Sequence, residues 1–268
     1  MNIIQGRVKV PRRTVVYGVH GIGKSTFAAS APKPIFVPTE DGLADVGADR
    51  FALCTTFGAV LESLRSIYEE KHSYQTVVID SLDWLERLVW RDVCETEGVE
   101  SIEKIGYGKG YVQALDGWRR VLDALTMLRD ERGMGSVMIA HSAIVRFEDP
   151  ESDGYDRYAP QLHKHAAALV TQWADEVLFA TYRTFTKESE EKFGGKRTRA
   201  VGSGERILRT SERPAHVGKN RLGMPPEIPL AWAEYQKWID GQPVEQDKPK
   251  KAAKVAAVKT ETISAEAK

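Results

Sequence analysis

"VVYGVHGIGKSTFAAS", residues 15–30, runs a β-branched stretch into a glycine-rich turn and then into small, helix-compatible residues. Gly18, Gly23, Lys24 and Ser25 satisfy the spacing G-x-x-x-x-G-K-[ST] in full, between the strand and the helix that the pattern requires. Glycines lack the Cβ that would keep backbone N–H groups from turning inward around an anion, and a helix N-terminus adds partial positive charge. Gly18, Val19, His20, Gly21, Ile22, Gly23, Lys24, Ser25 and Thr26 are therefore expected to cradle the phosphates of ATP. Lys24 would reach the terminal phosphates, and the Ser25 hydroxyl would hold Mg2+. A glycine turn that merely precedes a helix is the competing reading.

A phosphate loop of this kind needs an acidic residue at the end of a second buried strand to complete the magnesium shell. "TVVIDSLDWL" (76–85) supplies Asp80 after three apolar β-branched residues; taken alone an aspartate there more often caps the next helix, but beside the phosphate loop the metal role is favoured. "TVVYG" (14–18), "TVVID" (76–80) and "SVMIA" (136–140) read as buried parallel strands, with "PIFVP" (34–38) and "RFALCTT" (50–56) as shorter ones. Leu115, Trp118, Leu122 and Leu125 share one helical face, as do Leu82, Leu85 and Val89. Strands alternating with amphipathic helices predict an α/β fold, a mostly parallel sheet flanked by helices. "EVLFATYRTFTK" (176–187) and "RILRTSE" (206–212) predict an antiparallel edge, and "LAWAEYQKWI" (230–239) a last helix. Residues 1–241 are expected to form one domain. Residues 242–268, rich in lysine, alanine and glutamate, bury too little to order and are expected to be a disordered tail.

Net charge is zero, so an anionic partner must be met by a local patch rather than by the whole molecule. Cys54 and Cys94 are the only cysteines and lie in no metal-binding spacing, which disfavours a disulfide scaffold or zinc site. No apolar run is long enough for a signal peptide or a membrane span, so a cytoplasmic protein is expected.

Further stretches resemble the RecA-like recombination ATPases, above all the compact phage-type annealing or strand-exchange proteins and the ATPase core of RadA/Sms. The resemblance covers roughly residues 12–240. It rests on Glu40 in "TEDGL" after the second strand, "IDS" at Asp80, "AH" ending with His141, and "KNRLG" at Lys219–Gly223, where RadA has phenylalanine in place of Leu222. It implies a RecA-like core in which Glu40 activates the attacking water and His141 senses the γ-phosphate. Lys219 and Arg221 would complete a neighbouring subunit's site. Each has a plainer alternative: a loop acid, a hydrogen-bonded core histidine and solvated charges. The zinc finger and protease-like domain of RadA/Sms and the long N-terminal helix of RecA are not seen, so the resemblance implies the ATPase core and leaves assembly as ring or filament open.

In such folds two segments are placed to touch single-stranded DNA. "EKIGYGKGYVQ" (103–113) offers Tyr107, Lys109 and Tyr111 among glycines, for stacking and phosphate contact or for a hinge with locally packed tyrosines. "VRFEDPESDGYDRYAPQLHKH" (145–165) carries Arg146, Arg157, Tyr158, Lys164 and His165 around an acidic centre. From Arg183 to Arg221 eleven Lys/Arg face five Glu, a local excess that suits phosphate contact or a charge-protected sheet edge. The expected function is an ATP-binding and ATP-hydrolysing protein acting on single-stranded DNA in recombination or annealing. Its expected partners are copies of itself and a single-strand DNA-binding protein, in the cytoplasm of a phage-infected host. A non-catalytic, ATP-switched annealing or loading module is the alternative, and a small-molecule kinase is a further one.

Overall fold

The computed structural model describes residue 3 and residues 8–150, 153–190 and 196–241, with the backbone alone for 185–190 and 196–203. The expected tail lies outside the described residues. In chain order the elements begin β1 (Arg13–Gly18), α1 (Lys24–Ala29), β2 (Pro34–Pro38), β3 (Asp49–Arg50), α2 (Phe57–Glu69), β4 (Thr76–Asp80) and α3 (Leu82–Glu97). A 3-10 turn (Ile102–Ile105) leads to α4 (Lys109–Arg132), β5 (Gly135–Phe147), β6 (Tyr155–Pro160) and α5 (Lys164–Trp173). The last elements are β7 (Glu176–Glu190), β8 (Lys196–Arg209), β9 (Lys219–Asn220), β10 (Glu227–Pro229) and α6 (Trp232–Asp240).

The sheet runs β10-β8-β7-β1-β5-β4-β2-β3, with β6 on β5 and β9 on β7. From β7 to β3 every neighbouring pair is parallel, whereas β8, β9 and β10 are antiparallel, so the expected mixed sheet with an antiparallel edge is present. Apolar runs on the central strands follow from burial on both faces. On β1, Val15 and Tyr17 enter one core with Trp118 and Leu125 of α4, while Val16 enters the other with Phe27 of α1 and Tyr235 of α6. Trp118 and Tyr235 are both wholly buried. The Tyr235 hydroxyl shares a hydrogen bond with Thr14 Oγ1 (2.7 Å) and donates to Glu176 Oε2 (3.1 Å), which satisfies the polar end of a ring that is otherwise in apolar contact.

One expectation is corrected and one extended. Of "RFALCTT" (50–56) only Arg50 lies in a strand, the two-residue β3 (Asp49–Arg50). Beyond it, Phe51 N and Cys54 N still donate to Phe36 O and Pro38 O (2.9 Å each), but their two-versus-three residue spacing cannot continue a regular ladder. Residues 145–165, expected only as a DNA-contacting segment, hold the end of β5, all of β6 and the start of α5, with β5 and β6 antiparallel, Ser142 opposite Pro160 and Phe147 opposite Tyr155.

Strand register gathers one end of the sheet. Gly18 pairs with His141, Asp80 with Ile139, and Pro38 with Asp80. The residues that follow β1, β2 and β4, together with His141 on β5, thus converge at the carboxyl ends of four adjacent parallel strands, where ligands of such sheets bind.

Candidate functional site

The loop after β1 has the backbone an anion cradle needs. Gly21 (φ +70°) and Gly23 (φ +104°) are left-handed, and Gly23 caps α1. Gly18 is required for another reason: a Cβ there would lie 2.2 Å from Ala180 O on β7. Lys24 is buried, with Nζ donating to Gly18 O and Val19 O at 3.0 Å each. Burial lowers its pKa, against the pull of Asp80, Glu40 and Asp83. Its ammonium is thus held inside the loop, where partner anions would repay the lost solvation.

Ser25 Oγ donates to Asp80 Oδ2 across 2.7 Å. Asp80 is 2% exposed, and burial raises its pKa even though Ser25 and Lys24 oppose the shift. A buried carboxylate beside a hydroxyl is a pair of hard oxygens, and their separation suits the edge of an octahedral Mg2+ shell, about 2.9 Å. The residues present fit the metal.

Next to this pair one ligand-type atom from each of Glu40, Asp83 and His141 lies within 4.8 Å of the other two. Asp83 holds His141 twice, accepting from its backbone N (3.1 Å) and facing its ring Nδ1 (2.9 Å). Burial pushes Asp83 up, but the hydrogen bonds and charge of His141 outweigh it and leave the carboxyl below its usual range. With Nδ1 committed to a carboxylate, Nε2 is the ring atom left for other chemistry. The other face of the His141 ring stacks on His20 of the loop, centroids 3.8 Å apart, so neighbouring positive charge lowers the pKa of His20. Glu40 is half-buried and its carboxyl is raised, by burial first and then by Asp80 and Asp83 against His141. A raised carboxylate within reach of an oriented imidazole can accept a proton from water.

The sequence reading missed Asp83. Its signal was available, because Asp83 follows Asp80 by three residues and so opens α3 on the site side.

Lys219 and Arg221 do not join this cluster. Lys219 Nζ donates to the carbonyls of Thr171 (2.9 Å), Gln172 (2.8 Å) and Ala174 (2.6 Å), which closes the C-terminus of α5 with all three of its donors. Arg221 Nη1 donates to Asp175 Oδ1 (2.9 Å), and its side chain is 54% exposed. Asp175 also pairs with Arg13 at the start of β1, so both basic residues sit at the opposite end of the sheet from Gly18, about 17 Å away along the strand. A cavity of about 550 Å³, lined by Arg12, Thr14, Ser136 and Trp232, lies at that far end as well and is not part of the cradle.

Of the two segments expected to touch DNA, the first leaves Tyr107 fully exposed at φ +50° between Gly106 and Gly108, both also at positive φ, while Tyr111 stacks on His163 at 4.1 Å. In the second, Arg157 lies 4.0 Å over the Phe147 ring and pairs with Glu212, and Arg146 pairs with Glu148. Among the described residues no helix is long and apolar enough to cross a membrane.

The chain is 27% identical over 170 residues to the SPbeta prophage-derived uncharacterized protein YorG of Bacillus subtilis (strain 168), a match covering 61% of this chain and 49% of that protein. It spans about half the length of that curated relative. The crystal structure of the RadB recombinase matches with a TM-score of 0.41 and 15% identity, over 75% of this chain and 80% of that one. Residues 10–222 match the family model AAA_24, described as an AAA domain, from just before β1 to just after β9. The chain belongs to this AAA-domain family of P-loop nucleotide-binding ATPases.

Proposed function

We propose that the protein hydrolyses ATP in a head-to-tail assembly of its own copies and does so on single-stranded DNA, in recombination or annealing. The observation that carries the catalytic part is the convergence of Glu40, Asp83 and His141 beside the Ser25–Asp80 pair and the Lys24 cradle. When bound, Mg2+ would neutralise phosphate charge and orient the terminal phosphoryl group. Ser25 and Asp80 would hold it, and Lys24 would leave its loop carbonyls for the phosphates. Glu40 takes the proton of the attacking water, and His141, fixed by Asp83, keeps Nε2 for contact with the terminal phosphate. Arg221 lies too far to serve its own loop, which suits delivery to a neighbour through a heterologous interface. An arginine supplied in this way is worth about a thousandfold or more in rate. Lys219, whose donors are spent on α5, anchors the short strand that precedes that arginine rather than acting with it.

The DNA part is supported by the exposed ring of Tyr107 on a glycine-flanked turn and by the basic excess between Arg183 and Arg221, part of which lies outside the described residues. The prophage origin of YorG is in keeping with a phage setting. ATP turnover measured with and without single-stranded DNA at low salt tests both halves. Stimulated turnover that Lys24→Ala abolishes is expected. Turnover unchanged by DNA would remove the DNA role, and annealing that survives Glu40→Gln in full would favour the non-catalytic switch.

A further inference from the structure

We infer that Arg206 is a second cation of the nucleotide site, supplied by the same chain, which grips the phosphate groups from the side opposite Lys24. The inference rests on the nucleotide-binding reading of the loop and adds a residue that neither the loop motif nor the resemblance contains. Three observations carry it.

The first is position. Arg206 stands on β8, directly opposite Tyr182 of β7, two residues beyond the Ala180 that pairs with Gly18. Residues two apart on a strand share a face. Ala180 and Leu208 belong to the core under α1, so Tyr182 and Arg206 prolong that face past the edge of the core and over the loop.

The second is contact. Arg206 Nη1 lies 3.4 Å from Ile22 O, and a Cβ built on Gly23 would meet the same nitrogen at 2.9 Å. The guanidinium therefore lies against the residue that caps α1 and turns the loop's N–H groups inward. Gly23 is needed for its left-handed backbone, and its missing Cβ leaves room for this close approach.

The third is charge. The other two arginines of β7 and β8 whose side chains are described have carboxylates: Arg183 pairs with Glu205 and Glu227, and Arg209 with Glu227. Arg206 is exposed, the one hydrogen bond of its side chain among the described residues is the long one to Ile22 O, and no described carboxylate lies within ion-pair range of it. A planar guanidinium left without an anion beside a loop shaped for oxyanions is suited to two-pronged phosphate contact.

Lys24 and Arg206 then bracket the phosphate groups, the first from within the loop and the second from the sheet edge. Because Arg206 comes from the same chain, its contribution does not depend on assembly, unlike that of Arg221.

The test is a calorimetric titration of the full chain with Mg2+–ATP and with inorganic tripolyphosphate, at protein dilutions where sizing shows a monomer. Wild type is compared with Arg206→Gln and Arg206→Lys. Loss of one charged hydrogen-bonding partner should weaken both ligands by about tenfold or more in Arg206→Gln. Arg206→Lys should recover part of that loss, and the melting temperatures of the free proteins should agree. Wild type that binds both ligands while Arg206→Gln binds them within twofold would overturn the inference and leave the loop reading intact. Weakened ATP binding with unchanged tripolyphosphate binding would also overturn it, since the contact would then be to the nucleoside. Wild type that binds neither ligand would overturn the loop reading and this inference together. Should Arg206→Gln fail to fold, Arg206→Lys decides: affinity equal to wild type for both ligands refutes the two-pronged contact.

Discussion

Replacing Glu86 with glutamine is expected to stabilise the protein at neutral and alkaline pH and to change little in acid. Glu86 lies on α3, is 5% exposed, and accepts the backbone N–H of His163 on both carboxylate oxygens (3.1 and 3.0 Å). Among the described residues no cation pairs with it, and Asp83 adds negative charge nearby, so burial pushes its carboxyl up to about 7. In the unfolded chain the same group ionises near 4.5. Between those two values the folded state keeps a proton that the unfolded state has released, so stability falls as pH rises, by about 1.4 kcal/mol per pH unit. The whole penalty is about 3 kcal/mol and is complete above pH 7. Glutamine has no charge to desolvate and keeps a carbonyl oxygen for His163. Urea unfolding midpoints across pH 4.5–8.5 should therefore diverge progressively, the variant exceeding wild type by about 2–3 kcal/mol at pH 8 and matching it near pH 4.5. A difference that is constant with pH, or that favours wild type in alkali, would refute the reasoning.

Gly18→Ala places a methyl 2.2 Å from a backbone oxygen of the neighbouring strand, where no side chain can yield, and should cost about 3 kcal/mol in unfolding experiments. Asp83→Asn removes the charge that orients His141 and should lower kcat about 10–100-fold with ATP affinity within about threefold; equal loss of both would contradict a positioning role. Lys219→Ala should lower stability by about 1–3 kcal/mol through three orphaned carbonyls, with ATP affinity unchanged. Arg221→Ala should instead leave stability near wild type and reduce turnover only at concentrations where the chain assembles. The reverse assignment would remove the division drawn between these two residues.

The proposed nucleotide site could be drawn from the sequence because its chemistry fixes residue type and spacing within short segments. Gly18 to Ser25 need one loop, and Asp80 needs only the end of an apolar strand. Contacts between distant segments were not legible. Lys219 reads as a basic residue in a loop, and only the pairing of β9 with β7 brings its ammonium to the end of α5. Arg206 reads as one charge in a basic block until β8 is placed two strands from β1. The β5–β6 hairpin was hidden by composition: its polar, acidic sequence gives the alternation of a half-exposed strand, with Tyr155, Arg157 and Ala159 more buried than Asp156 and Tyr158, in place of an apolar run. The strand read into residues 50–56 failed for the converse reason. β-branched and aromatic content signals burial, and Cys54 is buried, but burial alone does not supply a regular ladder.

The central claim is that the loop from Gly18 to Ser25 grips a triphosphate, with Lys24 inside it and Asp80 behind the metal. Calorimetric titration of the full chain with ATP, in the presence and absence of Mg2+, measures this most directly. Saturable binding that strengthens with Mg2+, loses that gain in Asp80→Asn and disappears in Lys24→Ala is predicted. Absence of saturable heat in the wild-type protein, or equal affinity in Lys24→Ala, would contradict it.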